Sequence, residues 1–213
     1  MSPAAQRQRR KEARPQELLD AALSLFVEKG FAATRSEEVA ARAGVSKGTL
    51  YLYYPSKEEL LKAVIKQTLS ADIAAGAQQV DEAEGPSGEL LVHLMTDWWL
   101  KIFESPTSGI FKLVITEVRN FPEIAQFYFQ EVVEPGQAVI SRLIQRGIAR
   151  GEFRAVDVQL TVYSIILPMV MLCMHKHSLG ACGGPEKALD HPEAFIRHHM
   201  QLLLQGLQPA DAA

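Results

Sequence analysis

The polar side chains with the clearest chemical purpose lie close together, in a short stretch just after Gly44. Ammonium, hydroxyl and phenol groups alternate there around Leu50, and each donates hydrogen bonds that phosphates and base edges accept: Ser46, Lys47, Thr49, Tyr51, Tyr53 and Lys57. Gly48 removes a side chain from the same surface, which lets a sugar-phosphate backbone come close. The stretch is therefore predicted to bind DNA.

Two short helices joined by a tight turn are expected to position these groups. The spacing of Thr34 and Glu37 is that of a capping box, which predicts a helix with Thr34 as its N-cap that ends at Gly44. Ser46 can cap a second helix over residues 47–53. Such a pair is a helix-turn-helix, whose second helix enters the major groove of DNA by its N-terminal end.

The second helix is predicted to expose most of its surface, because only Leu50, and Leu52 beside it, are needed inside the protein. We expect Lys47, Gly48, Thr49 and Tyr51 at base edges or the adjacent backbone, and Thr34, Ser46, Tyr53 and Lys57 at phosphates. The alternative interpretation is a tight turn between two packed helices with a polar outer face.

The segment from about residue 15 to residue 69 resembles the DNA-binding region of the tetracycline-repressor (TetR) family of bacterial regulators. The residues that carry the resemblance are Ala22, Phe26, Gly30, Phe31, Thr34, the run AARAGVSKGTLYLYY over 40–54, and residues 56–61. It implies an all-helical repressor with a small N-terminal DNA-binding domain and a larger C-terminal domain that dimerises and holds a small ligand. Arg35-Ser36 departs from the family pattern, which often has an apolar second residue there.

Composition agrees with a small regulator of the cytoplasm. The chain has 213 residues and two cysteines, too few for a disulfide framework, which favours a reducing compartment. No apolar run follows the N-terminal arginines, so a signal peptide is not expected. The formal charge is +2 over residues 1–60 and −5 over the remainder, which gives the total of −3. Residues 1–14 are predicted to form a flexible basic arm that is attracted to phosphates.

The expected organisation is all-α in two domains. Residues 15–57 are predicted to form the DNA-binding domain with three helices, and residues 58–213 the domain for effector binding and dimerisation. A long amphipathic helix after Pro55 is expected to connect them, followed by a loop over residues 76–88. Pro135-Gly136 should kink or break a later helix.

The most apolar run, Val158 to Met174, raises the question of a membrane span. Polar residues and Pro168 interrupt the run, and no comparable second segment exists, so no membrane partner is expected. A helix that is apolar nearly all round can instead pack against a partner subunit. Together with a last helix, Glu193 to Leu207, it is predicted to form a four-helix bundle with its copies in a homodimer.

Aromatic residues in the second domain exceed what a helical core requires, which favours a pocket for an apolar or amphipathic effector. The aromatic candidates are Trp98, Phe103, Phe111, Phe127, Tyr128 and Tyr163, and the polar ones are Asp97, Glu117 and Arg119. For each aromatic, ordinary core packing is the competing interpretation. The function predicted is a repressor that an effector releases from a near-palindromic operator, without cofactor or metal.

Two alternatives depend on cysteine and histidine. Cys173 and Cys182 allow a thiol switch, and the late histidines, among them His175 and His177, allow a metal-responsive regulator of the same fold. A helical enzyme, or an interaction module, would need a Cys/His site assembled in space. The sequence contains no phosphate loop, nucleophile elbow or paired His/Glu motif, so catalysis is not expected.

Overall fold

A computed structural model describes residues 3–117, 119–183, 189 and 191–209, with side chains from residue 13 onward. Over those residues the chain is helical, as the sequence predicted, and shows no strand. The α-helices are α1 Pro3–Lys29, α2 Ser36–Arg42, α3 Lys47–Tyr53, α4 Lys57–Ile65, α5 Ala71–Glu82, α6 Ser87–Glu104, α7 Gly109–Glu117, α8 Pro122–Tyr128, α9 Glu134–Ala149, α10 Val158–Lys176 and α11 Pro192–Leu207.

The first three helices and the start of α4 form a small head with its own core. Buried residues come from one face of each helix: Leu18, Ala22, Leu25 and Phe26 of α1, Val39 and Ala40 of α2, Leu50 of α3, and Leu60, Leu61 and Val64 of α4. Phe31, just after α1, is fully buried in the same core, as predicted. The remaining helices form the body.

The first helix begins earlier than the sequence indicated. Pro15 was expected at its first position, yet α1 starts at Pro3 and has Pro15 in its interior. Residues 4–14 are mostly Ala, Gln, Arg, Lys and Glu, which favour helix strongly enough to extend it past a proline. The expected flexible arm, residues 1–14, is therefore helical from residue 3. The side chains of Arg7, Arg9 and Arg10 lie outside the described part of the chain, and Arg14 is half-buried.

The predicted cap of α2 is wrong by one residue. Thr34 is 1% exposed, and its hydroxyl donates to the carbonyls of Gly30 (2.7 Å) and Leu25 (3.2 Å), at the end of α1. Arg35 is the N-cap instead, and its backbone N–H donates to the Glu38 carboxylate at 3.1 Å. The Thr34 hydroxyl therefore binds to the end of α1, and Arg35 takes the N-cap position of α2.

The connecting helix is longer than expected. A single π-helical turn, Lys66–Ser70, joins α4 to α5, so helix continues from Lys57 to Glu82. Residues 76–82 of the predicted loop 76–88 are therefore helical. Ile73 and Val80 of α5 are buried, and the exposed Arg142 of α9 donates to Asp81 at 2.6 Å. Packing against α6 and α9 thus overrides the weak helix preference of Gly76.

The later helices follow the predicted pattern closely. The expected interruption near Pro135 is a π-helical turn, Phe129–Val133, that joins α8 to α9. Such a turn accommodates a proline without ending the helix. The last helix is Pro192–Leu207, one residue longer than predicted.

One face of α10 is apolar and exposed. Residues 158–182 are long enough to cross a membrane, and their most apolar 18-residue window has a mean hydropathy of 1.7, yet only 28% of that window is buried inside the protein. Leu160, Leu167 and Met171 are 65%, 59% and 65% exposed, and they recur at helical spacing. In α11, which packs beside α10, Leu202 is also exposed. A single helix of this kind is also typical of a face that another subunit covers.

Candidate functional site

Helix α3 turns nearly all of its side chains outward. Leu50 is its only buried residue, while Lys47, Gly48, Tyr51 and Leu52 are exposed. A Cβ atom added at Gly48 would meet only the Ser46 hydroxyl, at 3.8 Å, so no described residue covers this surface. The second helix of the pair is therefore free to enter a groove.

The start of α3 is rigidly capped. The Ser46 hydroxyl accepts from the backbone N–H of Thr49 at 3.1 Å, as predicted, and also lies 2.9 Å from the Thr49 hydroxyl. In a helix-turn-helix this end contacts bases. The cap thus fixes two hydroxyl groups at the N-terminal tip of the helix.

Lys47 is held by neighbours when no DNA is present. Its ammonium group donates to the Glu37 carboxylate of α2 and lies 5.7 Å from the centre of the Tyr51 ring. The hydrogen bond with Glu37 raises the pKa of Lys47 and lowers that of Glu37. Both side chains are more than half exposed, so the pair contributes little to stability, and a phosphate can replace the carboxylate.

The body contains an apolar cavity of about 230 Å³ between α5, α6, α7, the α8–α9 helix and α10. Of the predicted effector residues, four line it: Trp98, Phe111, Tyr128 and Tyr163. Trp99, Ile115 and Leu167 are among the further lining residues. Burial raises the pKa of the Tyr128 phenol well above its usual range, so this group stays neutral.

Comparisons with known proteins decide the family. Residues 18–64 match the model of bacterial regulatory proteins of the tetR family, and residues 90–179 match a tetracyclin repressor-like C-terminal domain. The transcriptional repressor KstR2 of Mycolicibacterium smegmatis is 30% identical over 198 residues, which cover 91% of this chain and 90% of the relative. The chain belongs to the TetR family.

Solved structures of TetR-like fold agree over nearly the whole chain. FadR from Bacillus subtilis in complex with stearoyl-CoA superposes with a TM-score of 0.71 at 20% identity, covering 91% of this chain and 99% of that one. A protein from Saccharomonospora viridis in complex with choline gives 0.74 at 18% identity, covering 94% and 100%. As a TetR-family member the chain is a DNA-binding transcriptional regulator and not an enzyme, as the sequence predicted.

Two residues expected at phosphates are engaged inside this TetR head. Thr34 is buried, as described above. Lys57 donates from its ammonium group to the carbonyls of Phe31 (2.8 Å), Thr34 (3.1 Å) and Ala32 (3.3 Å), and it lies 4.5 Å from the centre of the Phe31 ring. Lys57 therefore closes the loop between α1 and α2. The sequence signal for Lys57 as a phosphate ligand was its charge, which does not distinguish the two roles.

Leu52 is the residue of α3 that sequence reasoning misplaced. It was expected inside with Leu50, yet it is 85% exposed. Two positions along a helix differ by about 200°, so both cannot face one core. The error could have been found from that angle alone.

Three predicted effector residues lie away from the cavity. Asp97 sits on the outer side of α6, 3.3 Å from His93. Phe103 and Phe127 pack under lysines, with Lys176 and Lys62 at 4.7 Å and 5.8 Å from the ring centres. Neighbours in a helix point about 100° apart, which removes Asp97 from the face that holds Trp98.

The other polar candidates, Glu117 and Arg119, also lie outside the cavity lining. Arg119 is exposed, and a Cβ added at Gly30 would lie 3.0 Å from the Glu117 carboxylate, which places Glu117 at the head. Sequence analysis missed two polar lining residues, Gln137 of α9 and Asp72 at the start of α5, and the Asp72 carboxylate accepts from Lys101 at 2.7 Å. The sequence places Asp72 in a helix that connects the two domains, and nothing in that position indicates a contact with the cavity.

The thiol and metal alternatives gain no support from geometry. Cys173 is buried, and this burial raises the pKa of its thiol to about 12, so it stays protonated and unreactive. Cys182 is exposed. Within the described residues, no three His, Cys, Asp or Glu side chains are grouped closely enough to hold a metal ion.

The head and the body meet through aromatic rings. Phe31 contacts Phe26 at 5.3 Å and, edge to face, Phe121 at 4.7 Å between ring centres. Phe121 follows α7 and precedes α8, and both of these helices line the cavity. A movement of α7 or α8 at the cavity would therefore occur next to Phe121, whose ring packs against Phe31 of the head.

Proposed function

We propose that this regulator is a homodimeric repressor of the cytoplasm, released from a near-palindromic operator by a small apolar or amphipathic effector. One observation supports the DNA-binding part above all others: α3 buries only Leu50 and presents Lys47, Gly48 and Tyr51 to the outside. An amphipathic helix that served only packing would bury a wider stripe.

The apolar face of α10 and α11 supports the dimer. Exposed leucine and methionine side chains recur along α10, and α11 adds Leu202 beside them. Burying such a stripe against a second copy in a four-helix arrangement removes it from water. Two heads related by twofold symmetry would then read two half-sites about one turn of DNA apart, which requires a near-palindromic operator.

The cavity supports control by a ligand. It is enclosed mainly by aromatic and aliphatic side chains, and the indole N–H groups of Trp98 and Trp99 are buried without an acceptor among the described residues. Proteins of this fold have been solved with stearoyl-CoA and with choline, so the fold itself does not choose the chemistry of the effector. Release requires that the effector prefers the conformation in which the heads no longer match the half-sites.

Selection of bound fragments from the source genome, followed by binding measurements on the recovered operator, tests the proposal. Lys47→Ala and Tyr51→Ala should each weaken operator binding about tenfold or more, as expected for lost contacts in a groove. Lys66→Ala is the matched control, because this exposed lysine lies outside the head surface, 3.9 Å from Glu131. Unchanged affinity in both α3 variants would refute the proposal.

The dimer is tested separately. Leu160→Glu combined with Met171→Glu places two charges on the exposed face of α10 and should yield monomers by light scattering, with weaker operator binding. Phe129→Glu, at a side chain that is 50% exposed on the body, is the control and should leave the dimer intact. A double variant that remains dimeric would place the interface elsewhere.

A further inference from the structure

In the part of the chain that the structure describes, the cavity has a single charged residue in its lining. Among the described residues, Asp72 is the charged member of a lining that is otherwise mainly aliphatic and aromatic, with Gln137 as a further polar residue. Five aromatic rings accompany it: Trp98, Trp99, Phe111, Tyr128 and Tyr163. No lysine, arginine or histidine of the described residues lines the same space. The formal charge in this lining is therefore negative, and the rings add their negative faces, while the indole N–H groups of Trp98 and Trp99 are its buried donors.

The partner of Asp72 is much more exposed than Asp72 itself. The Lys101 ammonium lies 2.7 Å from the carboxylate, and the two side chains are 67% and 24% exposed respectively. Lys101 follows Asp97 by four residues towards the outer side of α6, and it is not among the residues that line the cavity. Lys101 thus acts as a movable counter-ion at the edge of a largely buried acid.

Because Lys101 is exposed and Asp72 is largely buried, the pair should bind a cationic ligand more favourably than an anionic one. A ligand ammonium that replaces Lys101 leaves Asp72 paired, and the exposed lysine returns to water at little cost. A ligand carboxylate that took Lys101 would leave Asp72 largely buried, unpaired and next to a like charge, which is strongly unfavourable. The exchange of partners therefore favours a cation.

The rings favour the same choice. An ammonium group gains attraction from the face of an aromatic ring, and this gain is greatest when the site excludes water. Tryptophan, which the cavity has twice, is the most effective ring for this contact. The remaining aliphatic wall suits an apolar body attached to the charge.

We propose that the cavity binds a lipophilic cation, with its ammonium group beside Asp72 in place of Lys101 and its apolar part among the aromatic rings. This inference specifies the effector of the proposed repressor and so rests on that role of the cavity. Trp98 and Trp99 are the two tryptophans of the chain, so intrinsic fluorescence reports binding at this site directly.

Three probes with the same phenylbutyl tail test the charge preference on the full-length protein. They are phenylbutyltrimethylammonium, the neutral 2-methyl-6-phenylhexan-2-ol and the anionic 5-phenylpentanoate. Fluorescence titration should give a dissociation constant for the cation about tenfold below that of the alcohol, with the carboxylate weakest. Equal or tighter binding of either other probe, or no binding of the cation, would overturn the inference.

Variants identify the residue that sets the preference. Asp72→Asn should bring the cation and alcohol constants within about twofold of each other, and Lys101→Gln should tighten cation binding several-fold by removing its competitor. Asp81→Asn is the matched control, because Asp81 lies on the same helix, is 60% exposed and pairs with Arg142 at 2.6 Å. A preference that survives Asp72→Asn, or cation binding that weakens in Lys101→Gln, contradicts the proposal.

Operator release is measured independently on the recovered operator. Cation binding with no change in operator affinity would refute the effector role and leave the site assignment standing. Release by neutral probes, with no cation preference, would refute the site assignment and leave the repressor proposal standing.

Discussion

Replacing Lys57 by methionine separates a structural role in the head from a phosphate contact. The ammonium group of Lys57 donates to three carbonyls at 2.8–3.3 Å and lies over the Phe31 ring at 4.5 Å. Methionine keeps most of the aliphatic stem but leaves those carbonyls without their donor. Lys57→Met therefore removes the hydrogen bonds that hold the loop between α1 and α2, while the volume of the side chain changes little.

The expected cost follows from these contacts. Single hydrogen bonds from a charged donor contribute roughly 1.5–3 kcal/mol, and a cation over a ring about 0.5–2 kcal/mol. Lys57 is half-buried, and water can replace part of what is lost, so the contributions do not add in full. We expect a net loss of about 2–3 kcal/mol in the free energy of unfolding, which lowers Tm by about 4–12 °C in a chain of this size.

Thermal unfolding and the salt dependence of DNA binding are measured together. Lys66→Met, which removes an exposed lysine with one distant partner, is the control and should change stability by less than about 0.5 kcal/mol. Loss of a phosphate contact would instead reduce the slope of log K against log salt by about 0.9 on duplex DNA. A reduced slope with unchanged Tm in Lys57→Met would refute the structural role.

Two further predictions concern packing and pH. Gly109→Ala should destabilise the protein by about 1–3 kcal/mol in urea unfolding, because the added Cβ would lie 2.5 Å from the Val27 methyl carbons where α7 meets α1. Gly206→Ala is the control: its Cβ meets nothing within 4 Å, so the free energy of unfolding should be unchanged or higher. Hydrogen bonds from Arg42 and Ser24 lower the pKa of Glu28 from 4.5 to about 2, so its stabilising effect is complete above pH 4.5 and is lost as the pH falls from there towards 2. Glu28→Gln should therefore reduce the loss of stability over this pH range; an identical loss in the variant would contradict the assignment.

The helix-turn-helix was predictable because local signals determine it. Ser46 caps α3, and α3 runs over Lys47–Tyr53, which are the expected cap and bounds. Capping and turn preferences act within a few residues, so the sequence displays them directly. The prediction of Thr34 as the N-cap of α2 was wrong because its hydroxyl can reach both the start of α2 and the carbonyls at the end of α1. Only the folded structure shows that it binds the carbonyls.

The cavity was predictable only in part. Aromatic abundance indicated a pocket, and Trp98, Phe111, Tyr128 and Tyr163 do line one. Asp72 reaches the same cavity from a helix that adjoins α4 across a π-helical turn, and its role arises from contact with α6 in space. Sequence spacing carries no information on such a contact between helices.

Lys57 and Leu52 show the limits of residue type as a guide. A lysine beside a helix-turn-helix was assigned to phosphate by its charge, although three carbonyls of the protein already accept from it. A leucine was assigned to the core by its apolarity, although its place on α3 turns it outward. In both cases direction in space decided the role.

The edge-to-face contact of Phe31 with Phe121 means that the two parts of this chain are not interchangeable modules. Grafting the N-terminal part onto the body of another regulator would set Phe31 against whatever residue that body carries in place of Phe121. A chimera made to exchange operator preference should therefore keep its response to a small molecule only when it contains both Phe31 and Phe121.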